Sequence, residues 1–221
     1  YIVYKYIIYR RNGVYMVEDR LSEAIAVQIA QLIMSGKLAS GTKLKQTELA
    51  DMLDVSRIPI REALQLLENQ GLVKRLETRH IIVADINSEL LDETFSVIKA
   101  VEKNAFYTII KHDGWNNVWN CIADMADTQL HNMIINKSEN LYIKTLLENS
   151  RRYYISYAQQ LIGKNTSFIT DSVKSKIYSH NENSDTISDE VWEKVSGILD
   201  TYYMKLCDAV VNEGKYKEII Q

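Results

Sequence analysis

Arg57 and Arg61 stand four residues apart in VSRIPIREAL (55–64), on either side of Pro59, the one proline in the chain. With Ser56 as N-cap, a helix beginning here places Pro59 at its third position. There the missing N–H interrupts no intrahelical bond. Arg57 and Arg61 then share one outward face near the positive end of the helix. Like charges at i,i+4 cost roughly 0.2–0.5 kcal/mol, and cations at a helix N-terminus add a similar penalty. A phosphate backbone or a guanine edge against that face would reverse both signs, so the chemistry implied is nucleic-acid recognition. The competing reading is a solvated face whose charge is offset by Asp54 and Glu62.

A second pair lies in ADTQLHNMIINKSEN (126–140). Asp127 and His131 are also four apart, so both project from one helix face and could share a cation. An ordinary ion pair, with each other or with Lys and Arg neighbours, is the alternative.

The elements that carry these residues can be read from periodicity. Leu21–Ser35 is apolar at Leu21, Ile25, Ile29, Leu32 and Ile33, and Gly36 stops it. Thr47 is read as the N-cap of a short helix over ELADMLD. Ser56 opens the third helix, which Gly71 ends. LVKR and HIIVAD, joined through LETR, read as a hairpin. Three helices and a hairpin within this length make a winged helix-turn-helix pattern over residues 16–86, and the third helix is the one that enters the major groove. From Ser88 onward the periodicity is helical only, giving an all-α unit over 87–221. It is punctuated at HDG (112–114), GKN (163–165) and SHNENSD (179–185) into five or six helices. The fold class expected is mainly α.

Composition limits the remaining choices. Residues 1–80 hold 12 Lys and Arg against 9 Asp and Glu, a balance of +3, whereas residues 81–221 hold 14 against 20, a balance of −6. Only the first unit suits a polyanion. No apolar run reaches the roughly 18 residues of a membrane span, so no membrane partner is expected. The tyrosine-rich opening, residues 1–15, reads as a tail or short strand, not a signal peptide, because Lys5, Arg10 and Arg11 break it and no small-residue cleavage site follows. Cys121 and Cys207 lack CxxC spacing, which fits a reduced, cytoplasmic protein. An enzyme built on a cation site with an open position is the rival functional class. No separate acid or base stands at motif spacing to serve it, and catalysis is not expected.

The stretch from Ile29 to Val73 resembles the DNA-binding domain of the GntR family of bacterial transcription regulators, with Leu49-Ala50 and then Val55 to Leu64 carrying the family's pattern. The resemblance implies that Arg57 and Arg61 are the principal groove contacts, with Ser56 and Ile58 beside them and Lys45 and Thr47 reaching phosphate. It places Arg79 and His80 at the wing tip, directed at the minor groove. His80 stands where glycine is usual, a left-handed position that histidine tolerates better than most residues, and Ser40 where proline is usual.

The helical half resembles the ligand-binding (FCD) domain of the FadR subfamily. FSVIKAVEKNA matches its opening helix, with Lys99 in place of an arginine and Glu102 as expected, and Asp127, His131 and Asn140 follow. That implies a divalent metal of the zinc, nickel or manganese class on Asp127, His131 and His180. Tyr202 falls opposite the family's third histidine, and a neutral phenol is a poor ligand. A metal-free pocket is therefore the open alternative. The effector implied is a small carboxylate or hydroxy acid, with Lys99 as charge partner and Tyr202 in the pocket. The regulator implied is a homodimer on a pseudo-palindromic double-stranded DNA operator.

Overall fold

A computed structural model describes residues 17–163, 166–177 and 187–213. The expected tail over 1–15, the break at SHNENSD and His180 lie outside them.

The N-terminal unit is built on two helices. Helix α1 (Val17–Met34) buries Ile25, Ala26, Ile29, Ala30 and Ile33 on one stripe. That stripe packs against Ile60, Ala63, Leu64 and Leu67 of α3 (Arg57–Asn69). Between them, α2 (Gln46–Leu53) contributes Leu49 and Ala50 to the same core. The expected Thr47 cap is corrected: α2 opens two residues earlier, its N-cap is Lys45, and Thr47 lies inside the first turn. The α2–α3 turn passes through Asp54 at φ 54°, a left-handed conformation that Asp tolerates better than most residues. Ser56 and Pro59 take the N-cap and third helical positions expected of them, although the Ser56 hydroxyl makes no capping bond.

The wing is a sheet of three strands, not the hairpin of two expected. Strand β1 (Lys43–Leu44) joins β2 (Val73–Arg75) and β3 (Ile81–Val83) in the order β1-β3-β2, antiparallel throughout. Lys43 stands opposite Ile82, Val73 opposite Val83, and Arg75 opposite Ile81.

Asn87 caps the next helix, α4 (Ser88–Asp113), by accepting from the Leu90 N–H at 2.8 Å. Beyond it run α5 (Trp115–Ile122), α6 (Asp127–Lys137), α7 (Leu141–Ser150), a π-helical turn (Arg151–Ile155), α8 (Ser156–Ile162), α9 (Phe168–Lys176) and α10 (Asp189–Glu213). The chain is thus mainly α, a winged helix-turn-helix followed by an all-α bundle. The breaks at HDG and at Gly163 fall where the punctuation put them. α7, the π-turn and α8 follow without a gap and form one rod, so six rods are described where five or six were expected. α4 and α10, the two long helices, pack along each other and bury Phe95, Ile98, Phe106, Val195, Leu199 and Leu206.

One hydrophobic core runs through both units. The rod crosses between them. The Tyr154 hydroxyl, on the π-turn, donates to the Gln70 carbonyl at the C-cap of α3, at 2.8 Å. Arg152 pairs with Glu23 of α1 at 3.0 Å. Burial pushes the Tyr154 phenol up to about 12, so it remains a donor at neutral pH.

Candidate functional site

The first turn of α3 lies on the surface. Ser56, Arg57, Ile58 and Arg61 are exposed, while Pro59 and Ile60 turn into the core and fix which face looks out. Neither arginine forms an ion pair among the described residues, so Asp54 and Glu62 do not neutralise them as the alternative reading required. Ile58, 55% exposed, is an apolar side chain held in water between two cations. No core need explains that placement, and it suits contact with a thymine methyl.

β1 and the wing bring more cations beside this turn. A cleft of about 330 Å³ is lined by Lys43, Lys45, Thr47, Arg57, Arg79 and His80 among others. Lys45 reaches Glu48 at 2.6 Å, an exposed pair of little net worth that a phosphate can displace. Lys43 was not anticipated as a member. Its signal was the alternation in TKLKQ, where Lys43 and Lys45 face water on either side of buried Leu44.

The wing tip corrects one expectation. The Leu76 N–H donates to the His80 carbonyl and the Arg79 N–H to the Leu76 carbonyl, both at 2.8 Å, and Arg79 has φ 65°. This is a tight turn followed by a bulge whose left-handed position belongs to Arg79. His80 is therefore not the strained residue; it re-enters the ladder. Both side chains are exposed, at the mouth of the cleft.

The helical half arranges its polar residues differently. Asp127 and His131 are both 1% exposed, yet they do not meet each other. Asp127 accepts from the backbone N–H groups of Phe168 at 3.1 Å and Ile169 at 2.9 Å, capping the first turn of α9 with both oxygens. The Nδ1 of His131 bonds to Glu102 and its Nε2 faces the Tyr202 hydroxyl at 3.2 Å. Glu102 also accepts from the Tyr203 hydroxyl, and the Gln159 side chain donates to the Tyr202 oxygen at 2.8 Å. Burial, above all, pushes both phenols well above their ordinary range.

Neither a shared cation nor a simple Asp127–His131 pair describes these residues. Among the described residues no group of three His, Cys, Asp or Glu side chains is placed to hold a metal. A divalent ion does not fit the described donors as they stand, because Asp127 and His131 are each committed to another partner. Lys99 is drawn to Asp200 at 3.3 Å, beside Lys103, between α4 and α10. Asn140 caps α7 through the N–H groups of Tyr142 and Ile143. Glu102, Tyr203 and Gln159 were missed as members of the interior cluster. For Glu102 the signal was a carboxylate on the apolar stripe formed by Phe95, Ile98, Ala105 and Ile109.

Comparison with known proteins bears on the N-terminal unit. Residues 21–83 match the family model described as bacterial regulatory proteins, gntR family. The gluconate operon transcriptional repressor of Bacillus subtilis is 32% identical over 89 residues, 40% of this chain and 36% of that protein. An uncharacterized HTH-type transcriptional regulator of the same organism, YdhC, is 24% identical over 140 residues, 55% of this chain and 62% of that protein. The chain thus spans less than two thirds of the length of these curated relatives. Among solved structures, E. coli McbR/YncC is 15% identical, with 84% of this chain and 96% of that chain covered and a TM-score of 0.48. No helix among the described residues is long and apolar enough to cross a membrane. The family match runs from Leu21, within α1, through β3, so the winged unit is what this chain shares with the gntR family of bacterial regulatory proteins.

Proposed function

We propose that the protein is a transcriptional regulator that binds a pseudo-palindromic double-stranded DNA operator as a homodimer. In this reading α3 enters the major groove, Arg57 and Arg61 read base edges with Ser56 and Ile58 beside them, and Lys43, Lys45 and Thr47 hold phosphate. Arg79 and His80 reach the minor groove from the wing. The observation that carries the reading is the exposed Arg57–Arg61 pair, without an ion-pair partner among the described residues, on the recognition helix of a gntR-family domain. Cations left in water without carboxylates keep their full attraction for a polyanion. The relatives named as repressors favour repression as the sense of control.

A small-molecule effector acting through the helical half would set operator affinity, with the rod that carries Tyr154 and Arg152 as the connection to α1 and α3. For the second copy, the exposed apolar side chains Val97 on α4 and Leu141 and Tyr142 on α7 offer a surface. A metal-dependent enzyme on Asp127, His131 and His180 has no support in the geometry, since Asp127 and His131 serve different partners. The deciding experiment measures binding to operator and to random DNA across a salt series. Sequence-specific affinity that falls steeply with salt supports the proposal, and equal, weak binding to both DNAs ends it.

A further inference from the structure

The interior of the bundle holds a chain of hydrogen bonds contributed by four helices: Glu102 from α4, His131 from α6, Gln159 from α8, and Tyr202 with Tyr203 from α10. The resemblance set out above puts a metal in this neighbourhood, and the donors found here do not fit one. We propose that the network takes the place of a bound cation, so that the helical half is metal-independent, and that Tyr202 is the residue that decides it.

Each hydrogen of the network has a defined destination. With the imidazole as its Nδ1–H tautomer, that N–H donates to one Glu102 oxygen and the Tyr203 hydroxyl donates to the other. The Tyr202 hydroxyl donates to Nε2 at 3.2 Å, and the Gln159 amide donates to the Tyr202 oxygen at 2.8 Å. Each of these four hydrogens is used once and ends on an acceptor. A doubly protonated ring would also aim its second N–H at Tyr202, leaving the phenol hydrogen without an acceptor among the described residues. In either state the Nε2 lone pair or hydrogen is turned toward Tyr202, and that nitrogen is the one a cation would need.

Tyr202 is held there by its neighbours. Its ring stacks on Phe168 at 6.2 Å and 20°, and lies tilted against His131 at 5.6 Å. Burial keeps the phenol protonated and so a poor ligand. Asp127, the other expected ligand, already serves two backbone N–H groups of α9. Moving it to a cation would leave those groups unpaired. His180 lies outside the described residues.

The test uses the full chain, stripped with EDTA, dialysed, and titrated separately with zinc, nickel and manganese. Elemental analysis after gel filtration is read beside the melting temperature. We expect sub-stoichiometric metal and a melting temperature that neither EDTA nor the cations move. Tyr202→Phe deprives His131 and Gln159 of their buried partner and is expected to lower the melting temperature by about 5 °C or more. Tyr202→His is expected to make melting cation-dependent, because it supplies a second imidazole beside His131. One metal per wild-type chain, removed by EDTA with a fall in melting temperature and absent from His131→Gln, overturns the proposal. So does a Tyr202→Phe chain that melts with the wild type. A folded Tyr202→His chain indifferent to all three cations overturns the role given to Tyr202.

Discussion

Arg57 and Arg61 lie in water with no carboxylate drawn against them, whereas Glu102 and His131 are almost wholly buried and bonded on both sides. Both sets are polar residues on helices. The difference is what the fold does with their hydrogen-bonding capacity. On α3 it is left to solvent, where an incoming phosphate costs little to accommodate. In the bundle it is consumed internally, because a polar group out of water must find a partner or pay several kcal/mol. The first arrangement is open to a ligand and the second is closed. That contrast can be broken at four places.

The largest effect belongs to the closed cluster. His131→Ala leaves the Glu102 carboxylate and the Tyr202 phenol buried without their shared partner, and about 3 kcal/mol of stability is expected to go. Urea unfolding measures it; a loss under 1 kcal/mol would mean that the interior admits water. Next is the open pair. Arg57→Ala is expected to lower specific DNA affinity by roughly 1–3 kcal/mol and relax sequence preference, with the unfolding midpoint unchanged because the side chain is exposed. A destabilised Arg57→Ala protein would show that the arginine serves the fold and not a ligand.

Arg79→Gly should move stability and binding in opposite directions. Releasing the left-handed backbone at φ 65° is expected to stabilise the head by up to about 1 kcal/mol, while loss of the cation weakens DNA binding. Thermal melts and fluorescence anisotropy on the same preparation separate the two. The smallest effect is at Lys45. Lys45→Ala should weaken binding to every DNA alike and flatten the salt dependence by about one phosphate contact. A loss confined to one sequence would move Lys45 from the backbone to a base edge.

What could be read beforehand follows the same division. The α3 face was legible because its logic is local: Ser56, Arg57, Pro59 and Arg61 fall within one turn and a half, and their spacing alone sets which side each occupies. The bundle was legible as helices for the same reason. β1 escaped because two residues carry too little alternation to stand out. The left-handed wing position was assigned to His80 instead of Arg79 because a hairpin's bulge is fixed by the pairing of Leu76 with His80, which no single residue type announces here. The interior cluster joins positions 102, 131, 159 and 202, and Asp127 caps a helix that begins 41 residues later. Such partnerships exist only after folding. Reading Asp127 and His131 as a pair from i,i+4 spacing identified the right helix face and the wrong partners.

The phenol of Tyr154 resting on the far end of α3 gives the rod that carries it a mechanical office. Gln159, five residues along the same rod, bonds to Tyr202, so α3 and the bundle's interior are tied to one lever. The phenol meets α3 at its trailing end, opposite the leading turn where Arg57 and Arg61 sit.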